Sequence, residues 1–173
     1  MQKKSLPVRK NTRLKNYNYN WVSSYFITIC TDEHKCILGS ITKEYIDNTL
    51  PPERKVAVSA GVCLSEIGSI VKKYIESSKN AYENITVENY VIMPNHIHLL
   101  LYVADNDRTT TKSGAAIPNY VAALKQYINR ECGKNIFQRS YYDHIVRGEK
   151  DFDEIWDYID GNPLCWNKDR FYK

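Results

Sequence analysis

Three observations predict that this 173-residue chain folds as an α+β domain, an antiparallel sheet with helices packed on it. Two runs rich in β-branched and aromatic residues, Ile85 to Ile92 and His96 to Val103, follow one another across Pro94-Asn95 and read as paired strands. Apolar residues recur with helical spacing from Ile67 to Ile75 and again from Val121 to Ile128, giving one helix before this pair and one after it. Further extended runs flank both helices. Strand–helix–strand–strand–helix–strand is the order of a ferredoxin-like sandwich.

Ser24-Tyr-Phe-Ile-Thr-Ile-Cys30 is the first predicted strand. Lys35 to Leu38 reads as a short second strand or a continuation, Pro51-Pro52 as a break, and Lys55 to Ala60 as a weak strand. Residues 65–80 form the first helix, with Ile67, Ile70, Val71, Tyr74 and Ile75 on one face. The polar stretch 104–117 is loop-like. The second helix starts near Pro118, a favoured first-turn residue, turns Val121, Leu124 and Ile128 inward and stops at Gly133. Asn135 to Val146 reads as extended, and Lys150 to Gly161 as a third helix ended by Gly161 and Pro163.

Composition bounds the function. Forty-three per cent hydrophobic and 25% charged residues describe an ordinary globular chain. No apolar run is long enough for a membrane span, and no signal segment opens the sequence, so neither a membrane partner nor secretion is expected. Five cysteines without a C-x-x-C pair point to reduced thiols in a cytoplasm, and away from a disulfide framework or a zinc ribbon.

The net charge of +4 is concentrated at one end. Lys3, Lys4, Arg9, Lys10, Arg13 and Lys15 fall within the first 15 residues, which hold no acid. Removing these six from the 24 basic residues leaves 18 against 20 acidic ones. Residues 1–20 thus form a basic arm ahead of a single domain, 21–173. Such an arm is either a polyanion-binding extension or a solvated tail. Tyr17, Tyr19 and Trp21 follow it; they suit stacking on single-stranded nucleic acid or packing of the first strand.

The chemistry-bearing pair is His96-Ile97-His98 on what should be a central strand. Side chains two apart share a strand face, so both imidazoles project together, while Ile97, Leu99, Leu101 and Val103 fill the opposite, core face. Two imidazoles at this spacing make half a divalent-cation site; they also suit a structural hydrogen-bonded pair. A third donor is best sought on the third helix, where Phe152, Ile155, Trp156 and Ile159 form an apolar stripe. Tyr158 flanks that stripe, and Asn162 follows one turn later on the same flank. Taken alone, Tyr158 reads as an amphipathic edge residue and Asn162 as a helix end. Proline at 163 also disfavours helical geometry at Asn162.

The blocks Tyr90-Val-Ile-Met-Pro-Asn-His-Ile-His98, Phe137-Gln-Arg-Ser-Tyr-Tyr-Asp-His-Ile-Val-Arg147 and Ile155-Trp-Asp-Tyr-Ile-Asp-Gly-Asn-Pro-Leu-Cys-Trp166 resemble the REP-associated tyrosine transposases. These are relatives of the single-tyrosine HUH transposases, in which two histidines bracket a hydrophobic residue. Arg13-Leu-Lys and Tyr25-Phe-Ile-Thr-Ile-Cys30 fit the same family, so the resemblance spans nearly the whole chain. It implies that His96 and His98 hold Mg²⁺ or Mn²⁺, that Asn162 is the third ligand, and that Tyr158 is a nucleophile. The implied substrate is single-stranded or hairpin DNA with a short single-stranded flank. Cleavage would leave a 5′-phosphotyrosine link and a free 3′-hydroxyl for later strand transfer. Two departures are Phe137, where a tryptophan is expected, and Gly161, where replication initiators carry a lysine; the second favours the transposase branch.

Tyr141 and Tyr142 compete with Tyr158 as nucleophile, and His144 reads as a DNA contact or, preferably, a structural hydrogen-bonding residue. Leu99-Leu100-Leu101 after the histidines excludes the histidine-triad hydrolases and the H-x-H-x-D-H metallo-hydrolases. A non-catalytic nucleic-acid-binding module with structural histidines is the alternative. Monomer and homodimer are both compatible with the sequence.

Overall fold

A computed structural model describes residues 23–45, 57–78, 81–104 and 116–172. The basic arm, with Lys3, Lys4, Arg9, Lys10, Arg13 and Lys15, and the Pro51-Pro52 break lie outside them. The strands are β1 (Ser23–Cys30), β2 (Gly39–Tyr45), β3 (Ala57–Leu64), β4 (Ile85–Ile92), β5 (His96–Val103) and β6 (Tyr142–Ile145). The helices are α1 (Glu66–Ser78), α2 (Ala116–Glu131) and α3 (Glu149–Gly161).

Four strands form one antiparallel sheet in the order β4-β5-β1-β6, while β2 and β3 make a separate hairpin. Without the hairpin this is the ferredoxin-like arrangement expected from the sequence, with the histidine pair on a central strand. Period-2 alternation divides the sheet into two faces. Tyr25, Ile27 and Ile29 of β1 and Ile97, Leu99, Leu101 and Val103 of β5 are buried with Val71 and Ile75 of α1 and Val121, Leu124 and Ile128 of α2. On the other face Phe26 and Leu100 are buried with Ile155 and Ile159 of α3. None of the described helices is long and apolar enough to cross a membrane.

Two expected extended segments differ from the sequence reading. Lys35 to Leu38 is not a strand, because its backbone bonds elsewhere. Leu38 N–H donates to Pro94 O (2.9 Å), Ile37 N–H to Lys35 O (2.9 Å), and Leu38 O accepts from Ser65 N–H (3.0 Å). The strand comes later, at Gly39, and pairs with a β3 that runs on to Leu64 rather than ending at Ala60. Gly68 of α1 lies so close to this loop that a Cβ there would collide with the Leu38 carbonyl. Asn135 to Val146 is extended as a strand only over β6. Ahead of β6 the carbonyls of Gln138 (2.8 Å) and Ser140 (3.0 Å) accept from the Lys125 ammonium, and among the described residues only Thr31 and Phe137 form an isolated bridge.

Candidate active site

The β4–β5 turn fixes the first histidine. Asn95 is fully buried, and its Nδ2 donates to His34 O (3.2 Å) and Phe171 O (2.8 Å). Those two carbonyls orient the amide, so Oδ1 is the atom 2.9 Å from His96 Nδ1. An amide oxygen only accepts; His96 therefore carries its proton on Nδ1, and its Nε2 presents a lone pair. His98 is held from β1, where Thr28 Oγ1 lies 2.9 Å from its Nδ1. The two Nε2 atoms face one another at 3.0 Å.

Burial keeps both rings neutral. It pushes His96 down to about 4, against the opposing pull of Asp169. His98 is driven well below the usual imidazole range by its burial and then by His96. Two neutral imidazoles whose Nε2 atoms converge suit a cation rather than an anion.

Asp169 completes the group. It lies beyond α3, on a tail that folds back over β5 through Trp166, whose ring centroid is 6.0 Å from that of His96, and Phe171, at 4.7 Å. Its Oδ2 is 3.9 Å from His96 Nε2, and donor atoms of His96, His98 and Asp169 all lie within 4.8 Å of one another. Among the described residues this is the only group of three or more histidine, cysteine or acidic side chains with metal-holding geometry. The 3.0 Å between the two Nε2 atoms and the 3.9 Å from His96 Nε2 to Asp169 Oδ2 lie in the range that two ligands of one ion span. Metal–ligand distances of about 2.1 Å place adjacent ligands about 3 Å apart and opposite ones about 4.2 Å apart.

α3 delivers the other two predicted residues. Ile155 and Ile159 are buried against Phe26 and Leu100, which places the flank carrying Tyr158 above the histidines. The Tyr158 hydroxyl is 3.5 Å from both His98 Nε2 and Asp169 Oδ2, and its ring meets Phe26 edge-on at 5.9 Å. The side chain is 44% exposed, so substrate can reach it. Partial burial and then Asp169 raise its pKa, which keeps the phenol protonated when no cation is near.

Asn162 stays helical (φ −59°, ψ −43°) despite the proline after it, because tight turns continue the chain: Cys165 N–H bonds Gly161 O (3.2 Å) and Asn162 O (3.1 Å). Its Nδ2 donates to Asp169 Oδ2 (3.3 Å). Its buried Oδ1 has no hydrogen-bond partner among the described residues. The structure thus brings His96, His98, Tyr158 and Asn162 together, and adds Asp169, which sequence reasoning missed. The available signal was the run of aromatics Trp166, Phe171 and Tyr172 after Pro163, which marks a tail that packs. Tyr142 instead lies under Arg170, whose guanidinium carbon is 5.3 Å from its ring. His144 Nε2 hydrogen-bonds Asp151 Oδ2 at 2.9 Å.

No protein-family model matches the chain. An uncharacterized protein of Haemophilus influenzae is 26% identical over 183 residues, covering 95% of this chain and 93% of its own length. A second H. influenzae protein, named for the REP-associated tyrosine transposases, is 28% identical over 111 residues, covering 56% of this chain and 62% of that protein. Among solved structures, a REP-associated tyrosine transposase bound to a REP hairpin has the same fold, with a TM-score of 0.54 at 18% identity, covering 88% of this chain and 72% of that one. The chain resembles the REP-associated tyrosine transposases, as its three sequence blocks indicate.

Proposed function

We propose that the chain is a divalent-metal-dependent, single-tyrosine DNA endonuclease and strand transferase of the transposase type, acting on single-stranded DNA at or near hairpins. One observation carries this: the Tyr158 hydroxyl stands 3.5 Å from both a histidine and the carboxylate of a three-donor cluster. The sequence blocks and the fold of a transposase that binds a REP hairpin support it.

His96 Nε2, His98 Nε2 and Asp169 would hold Mg²⁺ or Mn²⁺, with the unpartnered Asn162 Oδ1 as a further donor. For both Nε2 atoms to be free, His98 carries its proton on Nδ1 and donates it to Thr28 Oγ1. A bound cation supplies Lewis-acid polarisation of a phosphate oxygen. Tyr158 Oη then forms a bond to phosphorus, the bond to the 3′ oxygen breaks, and the phenolic proton is lost as the 3′ oxygen gains one. The 5′-phosphotyrosine so formed conserves bond energy for rejoining. Phe26 and the α3 packing hold the phenol in place, which matters because only about 0.1% of a free tyrosine is phenolate at neutral pH. The basic arm is assigned a supporting role, adding affinity for the DNA backbone.

A labelled hairpin with single-stranded flanks, incubated with Mg²⁺ or Mn²⁺ and run on a denaturing gel, should show a covalent protein–DNA adduct that EDTA abolishes. A second reading, a non-catalytic nucleic-acid-binding module, is favoured by the self-sufficiency of the histidine pair, since Thr28, Asn95 and the 3.0 Å Nε2–Nε2 contact satisfy its polar atoms without a metal. A protein that binds the hairpin but never forms the adduct would establish that reading instead.

A further inference from the structure

Beside the metal-ligating cluster lies a cavity of about 240 Å³ whose walls include Thr28, His34, Gln138, Tyr142, Arg170 and Phe171. It shares two walls with the candidate active site. Thr28 is the hydrogen-bond partner of His98, and the Phe171 ring is 4.7 Å from that of His96. We infer that this cavity is a nucleobase subsite, which takes one base of a single-stranded DNA next to the phosphate presented to Tyr158. The inference rests on the function proposed above and names the contact that would place the strand.

The lining has the chemistry of such a subsite. Tyr142 is 43% exposed and offers a ring face from the edge strand β6. The Arg170 guanidinium lies over two rings, 5.3 Å from the centroid of Tyr142 and 4.5 Å from that of Phe171. It takes part in none of the ion pairs of the described residues. No acidic side chain lines the cavity. Aromatic faces beside an unpaired cation are what sequence-tolerant binding of single strands uses: the rings stack on the base and the guanidinium faces the backbone phosphate.

The walls are also preformed. His34 is stacked on Phe171 (5.3 Å), and Glu33 and His34 adopt the left-handed conformation (φ 52° and 54°), which non-glycine residues hold only where their surroundings impose it. Asn95 ties both sides together through the carbonyls of His34 and Phe171. A larger, more open hollow on α2 has cations, Lys125, Arg130 and Lys134, but no aromatic lining, so it can meet phosphates without holding a base.

The test is a binding cycle run in EDTA, which separates it from cleavage. Fluorescence anisotropy would compare oligothymidylate with an abasic deoxyribose-phosphate strand of equal length, on the full chain and on Tyr142→Ala and Tyr142→Phe. Tyr142→Ala should weaken oligothymidylate binding at least about fivefold and leave the abasic strand unchanged, while Tyr142→Phe keeps the ring and binds as the parent does. Arg170→Ala should weaken both strands. Thermal melting confirms the fold of each variant. Equal loss on both strands, or no loss on either, would overturn the subsite and leave the adduct assay untouched. An absent adduct with the expected cycle would instead defeat the cleavage reading alone.

Discussion

The two faces of the β4-β5-β1-β6 sheet are built from alternate residues of the same strands, and they do different work. Toward α1 and α2, β1 and β5 present Tyr25, Ile27, Ile29, Ile97, Leu99, Leu101 and Val103, all buried in one apolar cluster. Toward α3 and the tail, the same strands present Phe26, Thr28, Cys30, His96, His98 and Leu100. There the buried apolar cluster shrinks to Phe26, Leu100, Ile155 and Ile159. A rigid, dry face fixes the strands, and the other face can then carry buried polar groups at fixed spacing. Stability and chemistry are thus separable by residue parity, which is open to experiment.

The largest effect should come from a change that removes one oxygen on the polar face. Tyr158→Phe keeps the ring against Phe26 and His98, so folding and hairpin binding should survive while adduct formation drops to background. Tyr127→Phe, on exposed α2 surface, should cleave as the parent does. An adduct retained by Tyr158→Phe would move the nucleophile to another tyrosine, with the histidine cluster unaffected.

The dry face should show the reverse pattern. Leu99 is completely buried, and truncating a buried leucine to alanine removes its packing and leaves a cavity, at about 2–5 kcal/mol. Urea denaturation of Leu99→Ala should show a loss of that size. The adduct should still form at temperatures where the variant is folded. Loss of the adduct in fully folded Leu99→Ala protein would show that the two faces are coupled.

Acid should act on the buried histidines of the polar face. In the unfolded chain both histidines titrate near pH 6.5, whereas in the folded chain His96 falls to about 4 and His98 lies well below its usual value. Between those limits the unfolded state binds more protons, so stability present above about pH 6.5 is lost as pH falls toward 4. His96 alone contributes on the order of 3 kcal/mol to that loss. The check is the urea midpoint at pH 7 and at pH 4.5. A His96→Gln, His98→Gln double variant should show a flatter profile, and a parent profile equally flat would mean that the histidines are not buried as neutral groups.

What the sequence made legible follows from which features are local. Alternation locates β4, β5 and the shared face of His96 and His98, and helical spacing locates α3 with Tyr158 and Asn162 on one flank. These periodicities arise from burial against a single surface, so they are written into neighbouring residues. The β2–β3 hairpin carries little such signal, since Gly39-Ser-Ile-Thr-Lys-Glu-Tyr45 pairs only with its partner strand and stands outside the main sheet. Asp169 carries none of its own, and only the aromatics around it mark its tail as one that packs. Its place depends on Asn95 holding Phe171 O at 2.8 Å and on Trp166 against His96, contacts that join residues far apart in sequence, with a local bond from Phe171 N–H to Asp169 Oδ1 fixing the carboxylate on the tail.

The smallest effect, and the sharpest division of labour, concerns the donors themselves. Isothermal titration with Mn²⁺ at pH 7 should give binding that His96→Ala or His98→Ala weakens at least about tenfold, roughly 1.4 kcal/mol. Asp169→Asn keeps the size of the side chain and removes its charge, while Asn162→Ala removes both the unpartnered Oδ1 and the Nδ2 that holds Asp169. If Asp169 is the anionic ligand and Asn162 acts mainly by orienting it, Asp169→Asn weakens Mn²⁺ binding more than Asn162→Ala does. The opposite ranking would make the amide on α3 the third ligand, as the sequence resemblance implies, and leave Asp169 as a neighbour of the Tyr158 hydroxyl. Unchanged binding in folded His96→Ala and His98→Ala proteins would return the pair to a structural role and reduce the polar face to a hydrogen-bonded core.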